Sequence, residues 1–218
     1  MLTIGVLASG RGSNFQSIID SINSGFLKAV IKVLITDNPV AYAVERAKNH
    51  NIKALIIEPK DFRDKDSYYS HIAETLKKKN VELVVLAGFM RVVGKPLIRE
   101  FQNKIMNIHP ALLPFFPGLH GQKQALDYGV KVSGCTVHFV DEGVDTGPII
   151  IQAAVPAYED DTEESLSDRI LKQEHKILPL AIRLFSDGKI AVSGRKVVIK
   201  AKERGRDSVL TNPPSAET

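Results

Sequence analysis

The chain has 218 residues, of which 44% are hydrophobic and 25% are charged, and its formal net charge is +4. This composition is ordinary for one globular domain, and no apolar run approaches the roughly 20 residues that a membrane helix needs. Trp is absent and no aromatic residues interleave with the lysines, so we expect no nucleic-acid partner and no membrane partner. The single cysteine excludes an intrachain disulfide and fits a cytoplasmic protein.

The first half of the chain alternates short apolar runs with longer amphipathic stretches. The pattern predicts strands at residues 3–8, 30–36, 54–57, 83–87 and 105–109, and helices at 14–24, 42–49 and 66–79. The N-terminal run lacks basic residues and a cleavage site, so it indicates a strand and not a signal peptide. Strands that are hydrophobic on both faces and joined by helices are typical of an α/β fold with a Rossmann-like, mostly parallel sheet and helices on both faces. Its ligands should bind at the carboxyl ends of the strands.

A glycine loop, Gly10-Arg11-Gly12-Ser13-Asn14, joins the first strand to the first helix. Free N–H groups at a helix N-terminus hold phosphate, and Gly12, Ser13 and Asn14 together fit a small phosphomonoester. A dinucleotide fingerprint would need glycine where Phe15 stands. A structural glycine turn, with Ser13 or Asn14 as the helix cap, is the alternative interpretation.

The fourth strand runs into an elbow, Gly88-Phe89-Met90-Arg91-Val92-Val93. For an isolated segment of this kind, packing into the core is the simpler interpretation. Its location at the carboxyl end of a strand favours a second interpretation, an apolar wall whose exposed backbone bonds a planar, pterin-like heterocycle.

The segment Asn107-Ile108-His109-Pro110 is the candidate reaction centre. Residues two apart in a strand point to the same side, so Asn107 and His109 present their polar ends together, and Pro110 ends the strand. An amide beside an imidazole is suited to stabilising a developing oxyanion.

An acidic loop, residues 141–148, carries Asp145. A carboxylate near His109 would raise the pKa of that histidine and favour imidazolium. A turn-capping role for Asp145 is one alternative. A cation bound by Asp141, Glu142, Asp145 and histidines is another, although no recognised metal-binding spacing occurs.

In the second half of the chain, strands are predicted at 133–139 and 149–156, and Cys135 is expected to be a buried small residue. A long helix follows, capped at Asp161 with Glu164 three residues later, and Pro179 should bend or divide it near Leu178. A hairpin is predicted from strands at 189–192 and 196–199, and the tail at 212–215 should be disordered. We therefore expect one domain over residues 1–188, followed by a hairpin and tail over residues 189–218.

Taken together, these segments resemble the glycinamide ribonucleotide formyltransferase family of purine biosynthesis. The resemblance spans residues 2–188 and rests, in family order, on segments at 10–14, 86–91, 107–110, 112–114, 117–120, 145–148 and 173–175. It implies the formyltransferase fold, with a mixed sheet in the C-terminal half. It also implies transfer of the formyl group of 10-formyltetrahydrofolate, a co-substrate, to the amine of phosphoribosylglycinamide, by a monomer or homodimer that uses small-molecule substrates and no metal.

The resemblance also assigns roles to individual residues. The catalytic positions are Asn107, His109 and Asp145. The ribonucleotide contacts are Gly12, Ser13, Asn14, His120 and Glu174. The formylfolate contacts are Lys65, for which Arg63 is the alternative, together with Met90, Arg91, Val92, Val93 and Asn107. In the implied mechanism Asn107 and a protonated His109 meet the oxyanion, and Asp145 keeps His109 charged.

Four other functions share parts of this pattern. A methionyl-tRNA formyltransferase carries an additional C-terminal domain, for which we expect the residues after Gly188 to be too few. A formyltetrahydrofolate hydrolase carries an N-terminal regulatory domain, against which the first strand at Thr3 argues. An inert nucleotide-binding module would not need Asn107, His109 and Asp145 together. A Rossmann dehydrogenase would need a glycine of its dinucleotide fingerprint at the position where this chain has Phe15.

Overall fold

A computed structural model describes residues 1–200, and the fold is that of these residues. The strands are β1 Leu2–Leu7, β2 Ala29–Thr36, β3 Ala54–Ile56, β4 Leu83–Leu86, β5 Ile105–His109, β6 Val132–Phe139, β7 Ile149–Pro156, β8 Ile190–Ser193 and β9 Lys196–Ile199. The helices are α1 Ser13–Asn23, α2 Ala43–Asn49, α3 Lys65–Lys78, α4 Lys95–Glu100, α5 Gly121–Tyr128 and α6 Glu163–Ser186, with a 3-10 turn at Pro59–Asp61.

The strands form one nine-stranded sheet in the order β3-β2-β1-β4-β5-β6-β7-β9-β8. β1 to β5 are parallel, and the direction reverses at β6, which pairs antiparallel with β5 and β7. The predicted Rossmann-like sheet with a mixed C-terminal half is confirmed. β2 and β4 lie on opposite sides of β1, so the loops that follow β1 and β4 meet at the point where the strand order changes direction, which is where such sheets bind ligands.

Two hydrophobic layers cover the sheet. One packs α1, α2 and α6 on residues such as Ile4, Val85 and Ile108, and the other packs α3 and α4 on residues such as Val84 and Ile105. Alternation along β5 therefore sends Met106 and Ile108 to the first layer and Ile105 to the second. Asn107 and His109 follow Ile105 on the second face, and Pro110 ends β5 there, as predicted.

The long helix differs from its prediction at its N-terminal cap. Thr162 caps α6 and not Asp161, because the Thr162 hydroxyl accepts the Ser165 N–H at 3.1 Å and the Ser165 hydroxyl accepts the Thr162 N–H at 3.0 Å. Asp161 instead pairs with Arg169. Pro179 lies inside α6 but does not divide it, because the helix runs unbroken to Ser186.

The C-terminal hairpin of β8 and β9 is confirmed, and it joins the main sheet through the pairing of Lys196 with Ile149. The domain division at residue 188 remains a prediction. The tail at 212–215 lies outside the described residues. Sequence patterning did not predict the short helices α4 and α5. No helix within residues 1–200 has the length and apolarity needed to cross a bilayer.

Candidate active site

A cavity of about 490 Å³ opens beside the carboxyl ends of β4 and β5. The elbow, residues 88–93, forms one wall, and the acidic loop forms another through residues 141 and 143–145. Polar side chains meet inside it, namely Asn107, His109, His120, His138 and Asp145. The sequence prediction that ligands bind at the carboxyl ends of the strands agrees with this geometry.

Asn107, His109 and Asp145 form a contacting group. The Asp145 carboxylate lies 3.3 Å from His109 Nδ1 through Oδ2 and accepts Asn107 Nδ2 at 3.4 Å through Oδ1. The backbone N–H of Gly118 donates to the same Oδ2 at 2.8 Å and helps to fix the carboxylate. Asp145 has a φ of +53°, a conformation that Asp and Asn tolerate better than most residues.

His138 belongs to the same group, and sequence reasoning missed it. It lies on β6 directly opposite Asn107, and its Nε2 is 3.1 Å from Asn107 Nδ2 and 3.5 Å from Asp145 Oδ1. Its Nδ1 lies 2.9 Å from the carbonyl of Phe139, which fits an Nδ1–H donor and leaves Nε2 free to accept from Asn107. Only the antiparallel register of β5 and β6 reveals this contact.

The expected effect of Asp145 on His109 is present, but the net prediction was wrong. His109 is only 4% exposed, and burial lowers its pKa below the ordinary 6.5. The Asp145 carboxylate and the Phe116 carbonyl, 2.8 Å from Nε2, both raise that pKa, but burial outweighs them. At neutral pH the ring of the free protein is therefore mainly neutral, with Nε2–H donating to Phe116.

Asp145 is ionised at neutral pH. Burial raises its pKa, but the nearby His138, the hydrogen bond from the Gly118 N–H and the nearby His109 more than offset that effect and leave the pKa below its ordinary value. A fixed carboxylate thus faces an imidazole that is mainly neutral in the free protein. This pairing can take up a proton when negative charge develops beside it.

The glycine loop, residues 10–14, ends at an uncapped helix. Gly12 occupies the N-cap position of α1 with a φ of +68°, and no side chain accepts a hydrogen bond there. The alternative in which Ser13 or Asn14 caps the helix is therefore wrong. A side chain at Gly12 would also collide with Ala43. The first backbone N–H groups of α1 are left available, as a bound phosphate requires.

Glu174 and Asn14 meet behind that loop. Glu174 is 6% exposed, Asn14 Nδ2 donates to its Oε2 at 2.7 Å, and the Oδ1 of Asn14 is buried with no hydrogen-bond partner. Burial raises the pKa of Glu174. Neither residue lines the cavity that holds His109, so this polar pair is a second part of the site, on the α1 and α6 side.

The elbow is held at Arg91 and at Val92. The Arg91 guanidinium pairs with Asp37 at the end of β2, and the Tyr69 hydroxyl donates to the Val92 carbonyl at 3.0 Å. Lys65 does not line the central cavity but lies in a neighbouring surface depression, with its ammonium 5.9 Å from the Tyr69 ring centre. Its link to the elbow therefore runs through Tyr69.

The remaining predicted residues divide as follows. His120 lines the central cavity, at the N-terminus of α5, with Nδ1 3.9 Å from Glu163. Cys135 is fully buried, as predicted, and burial raises its pKa to about 12, so it is no nucleophile. Within residues 1–200, no three His, Cys, Asp or Glu side chains gather as a metal site would require.

Comparisons with known proteins give consistent results. A family model described as formyl transferase matches residues 2–182. The phosphoribosylglycinamide formyltransferase of Bacillus subtilis (strain 168) is 45% identical over 84% of this chain and 94% of its own length. The crystal structure of glycinamide ribonucleotide transformylase 1 from Symbiobacterium toebii has a TM-score of 0.90 and 50% identity, covering 91% of this chain and 94% of that one.

A longer relative matches as well. The trifunctional purine biosynthetic protein adenosine-3 of Drosophila melanogaster is 47% identical over 87% of this chain. The chain spans only 14% of the length of that relative.

Proposed function

The chain belongs to the formyl transferase family, and we propose that it transfers the formyl group of 10-formyltetrahydrofolate to the amine of phosphoribosylglycinamide. The products are N-formylated phosphoribosylglycinamide and tetrahydrofolate, within purine biosynthesis. The observation that carries the proposal is the meeting of Asn107, His109 and Asp145 in one cavity whose wall is the elbow.

The reaction needs no nucleophile from the protein, because the substrate amine attacks the formyl carbon itself. A bond forms from the amine nitrogen to that carbon, and the formyl oxygen becomes an oxyanion. Collapse of this intermediate breaks the bond to the folate nitrogen, which must receive a proton, while the amine must lose one. The protein therefore has to position two substrates, stabilise an oxyanion and carry a proton.

We assign oxyanion stabilisation to Asn107 and His109. One hydrogen of the Asn107 amide points to His138 at 3.1 Å, and the other points to Asp145 at 3.4 Å. The second bond is longer than an ordinary hydrogen bond and is the one most easily exchanged for an oxyanion. The His109 Nε2–H, held by the Phe116 carbonyl at 2.8 Å, would have to make a similar exchange.

Asp145 supplies the charge that makes this exchange favourable. In the free protein burial keeps His109 mainly neutral, so the ring does not carry a fixed charge before the reaction. Negative charge on the formyl oxygen adds to that of Asp145, and both favour the imidazolium. His109 thus takes up the proton that the attacking amine loses, and this proton is passed on to the departing folate nitrogen.

The two substrates are assigned to different parts of the site. The ribonucleotide would be held by the uncapped N-terminus of α1 with Gly12 and Ser13, by the Asn14–Glu174 pair and by His120. The backbone of Met90 to Val93, exposed at Met90 to Val92, would bond the folate ring, and Lys65, which lies over Tyr69, would contact its outer part. Formyltetrahydrofolate as co-substrate agrees with the family. We also propose that the chain uses no metal, that it is a monomer or homodimer, and that it is cytoplasmic.

The experiment that tests the proposal follows tetrahydrofolate formation from 10-formyltetrahydrofolate by absorbance. We expect formation only when phosphoribosylglycinamide is present, with one formylated ribonucleotide per tetrahydrofolate by mass spectrometry. An equal rate without the ribonucleotide would mean that water is the acceptor and that the chain is a hydrolase. No reaction in either case would reject the proposal in favour of an inert binding module.

A further inference from the structure

Ser9 has no assigned role, yet it makes three bonds at the point where the strand order reverses. Its N–H donates to the Gly88 carbonyl at 3.0 Å, and its hydroxyl oxygen accepts the Met90 N–H at 3.0 Å. The Asn38 side chain donates to its carbonyl at 3.1 Å. Ser9 thus brackets the first three residues of the elbow, where Gly88 turns the chain with a φ of +76°.

Ser9 is also joined to the other substrate site. It immediately precedes the glycine loop, whose backbone is held by α2: Ala43 N–H donates to the Gly10 carbonyl at 3.1 Å, and Arg46 Nε donates to the Arg11 carbonyl at 2.9 Å. The glycine loop therefore has fixed points on both sides, Ser9 on one and α2 on the other. A ligand that orders this loop also orders Ser9.

We propose that Ser9 is a positioning residue that couples the two substrate sites, so that the phosphorylated ligand on the glycine loop and the heterocycle on the elbow strengthen each other's binding. This inference rests on the proposed function. The coupling path is short: glycine loop, Ser9 hydroxyl, Met90 N–H, elbow.

The physical basis is shared ordering. The Met90 side chain is 61% exposed, so the elbow is open to water at this residue, and the Ser9 hydroxyl is the acceptor that fixes its N–H. When a ligand binds and orders a segment of the protein, the segment loses conformational entropy. A second ligand that needs the same segment ordered then binds at a smaller entropic cost. The resulting factor must be the same in both directions, because coupling of binding free energies is reciprocal.

The test measures the dissociation constant of phosphoribosylglycinamide by calorimetry, without and with a saturating folate analogue that has no transferable formyl group. For the wild type we expect about 10-fold tighter binding in the presence of the analogue, within the usual range of site-to-site coupling. Ser9→Ala should reduce this factor to less than about 2-fold, whereas Ser9→Thr, which keeps the hydroxyl, should retain most of it. A merely structural loss would weaken the binding of each ligand but leave the factor unchanged.

Ser24→Ala is the matched control, because it removes an exposed serine hydroxyl, bonded to the Ser21 carbonyl, at the opposite end of α1. It should keep the wild-type factor. A wild type without coupling, or a Ser9→Ala variant that keeps it, would overturn the inference while leaving formyl transfer intact. A chain that is inactive and binds neither ligand would instead overturn the proposed function.

A second measurement uses the wild type alone, so it does not depend on the folding of any variant. Hydrogen exchange of the peptide that contains residues 88–92 should slow when phosphoribosylglycinamide is added without folate. Unchanged exchange in this peptide, with slowed exchange at residues 10–14, would show that the glycine loop orders without the elbow and would contradict the coupling.

Discussion

Replacing Asp145 by Asn removes one charge from the site and changes little else. The two side chains have nearly the same size, and Asn tolerates the positive φ of +53° at this position as well as Asp does. The amide oxygen can still accept the Gly118 N–H, which fixes the carboxylate in the wild type. The variant therefore separates the role of the charge from that of the shape.

The distance from Asp145 to His109 sets the expected loss. Two unit charges 3.3 Å apart attract by about 5 kcal/mol at an effective dielectric constant near 20, which suits a side chain that is 13% exposed. Burial disfavours the imidazolium equally in the wild type and in the variant, so the loss of this attraction sets the difference in kcat. At 1.36 kcal/mol per decade we expect kcat to fall by roughly two to four decades, the scale of one acid–base element.

Stability should respond far less. The weakened bond at Gly118 costs about 1 kcal/mol, which lowers the Tm of a chain of this size by about 3 °C. The assay is tetrahydrofolate formation at saturating concentrations of both substrates, with the Tm measured on the same preparation. Near-normal kcat, or a loss of activity that only follows a loss of folded protein, would refute the role assigned to Asp145.

Three further predictions concern the phosphate site, the buried histidine and the sheet. Ser13→Asp should raise the KM for the ribonucleotide far more than that for the folate, because it places negative charge beside the phosphate; equal effects on both would put the phosphate elsewhere. His109 has a lowered pKa in the folded protein, so the unfolded chain binds more protons as the pH falls below 6.5 and stability must fall with it; His109→Gln should flatten this part of the Tm–pH curve, and an unchanged curve would contradict the lowered pKa. Gly134→Ala should destabilise by about 3 kcal/mol in urea unfolding, because the new Cβ would collide with the Ala153 carbonyl, whereas Gly10→Ala, with open space around it, should leave stability unchanged.

Periodicity predicted much of this molecule. The five parallel strands, the hairpin and the shared orientation of Asn107 and His109 all follow from apolar runs and alternation along single segments. The family resemblance, confirmed by the comparisons, came from short motifs in a fixed order. Each of these signals lies within a stretch of chain that can be read without its neighbours.

What could not be predicted depends on how segments meet. His138 enters the site through strand register, and the Phe116 carbonyl through a loop that folds back on His109. The sign of the pKa shift at His109 depends on burial, which no local pattern reports, so the nearby carboxylate alone gave the wrong direction. The observed cap of α6 lies one residue after the predicted one, because Ser165 completes the capping box with Thr162.

The bond between Asn14 and Glu174 has a consequence for synthesis of the chain. It joins positions 160 residues apart. His138 and Asp145 are also synthesised well after Asn107, the β5 residue that both of them contact. A growing chain on the ribosome can pair β1 to β5 from contacts already made, but it has no acidic loop and no partner for Asn14. Under the proposed function, the site is therefore complete only after Glu174 has been synthesised.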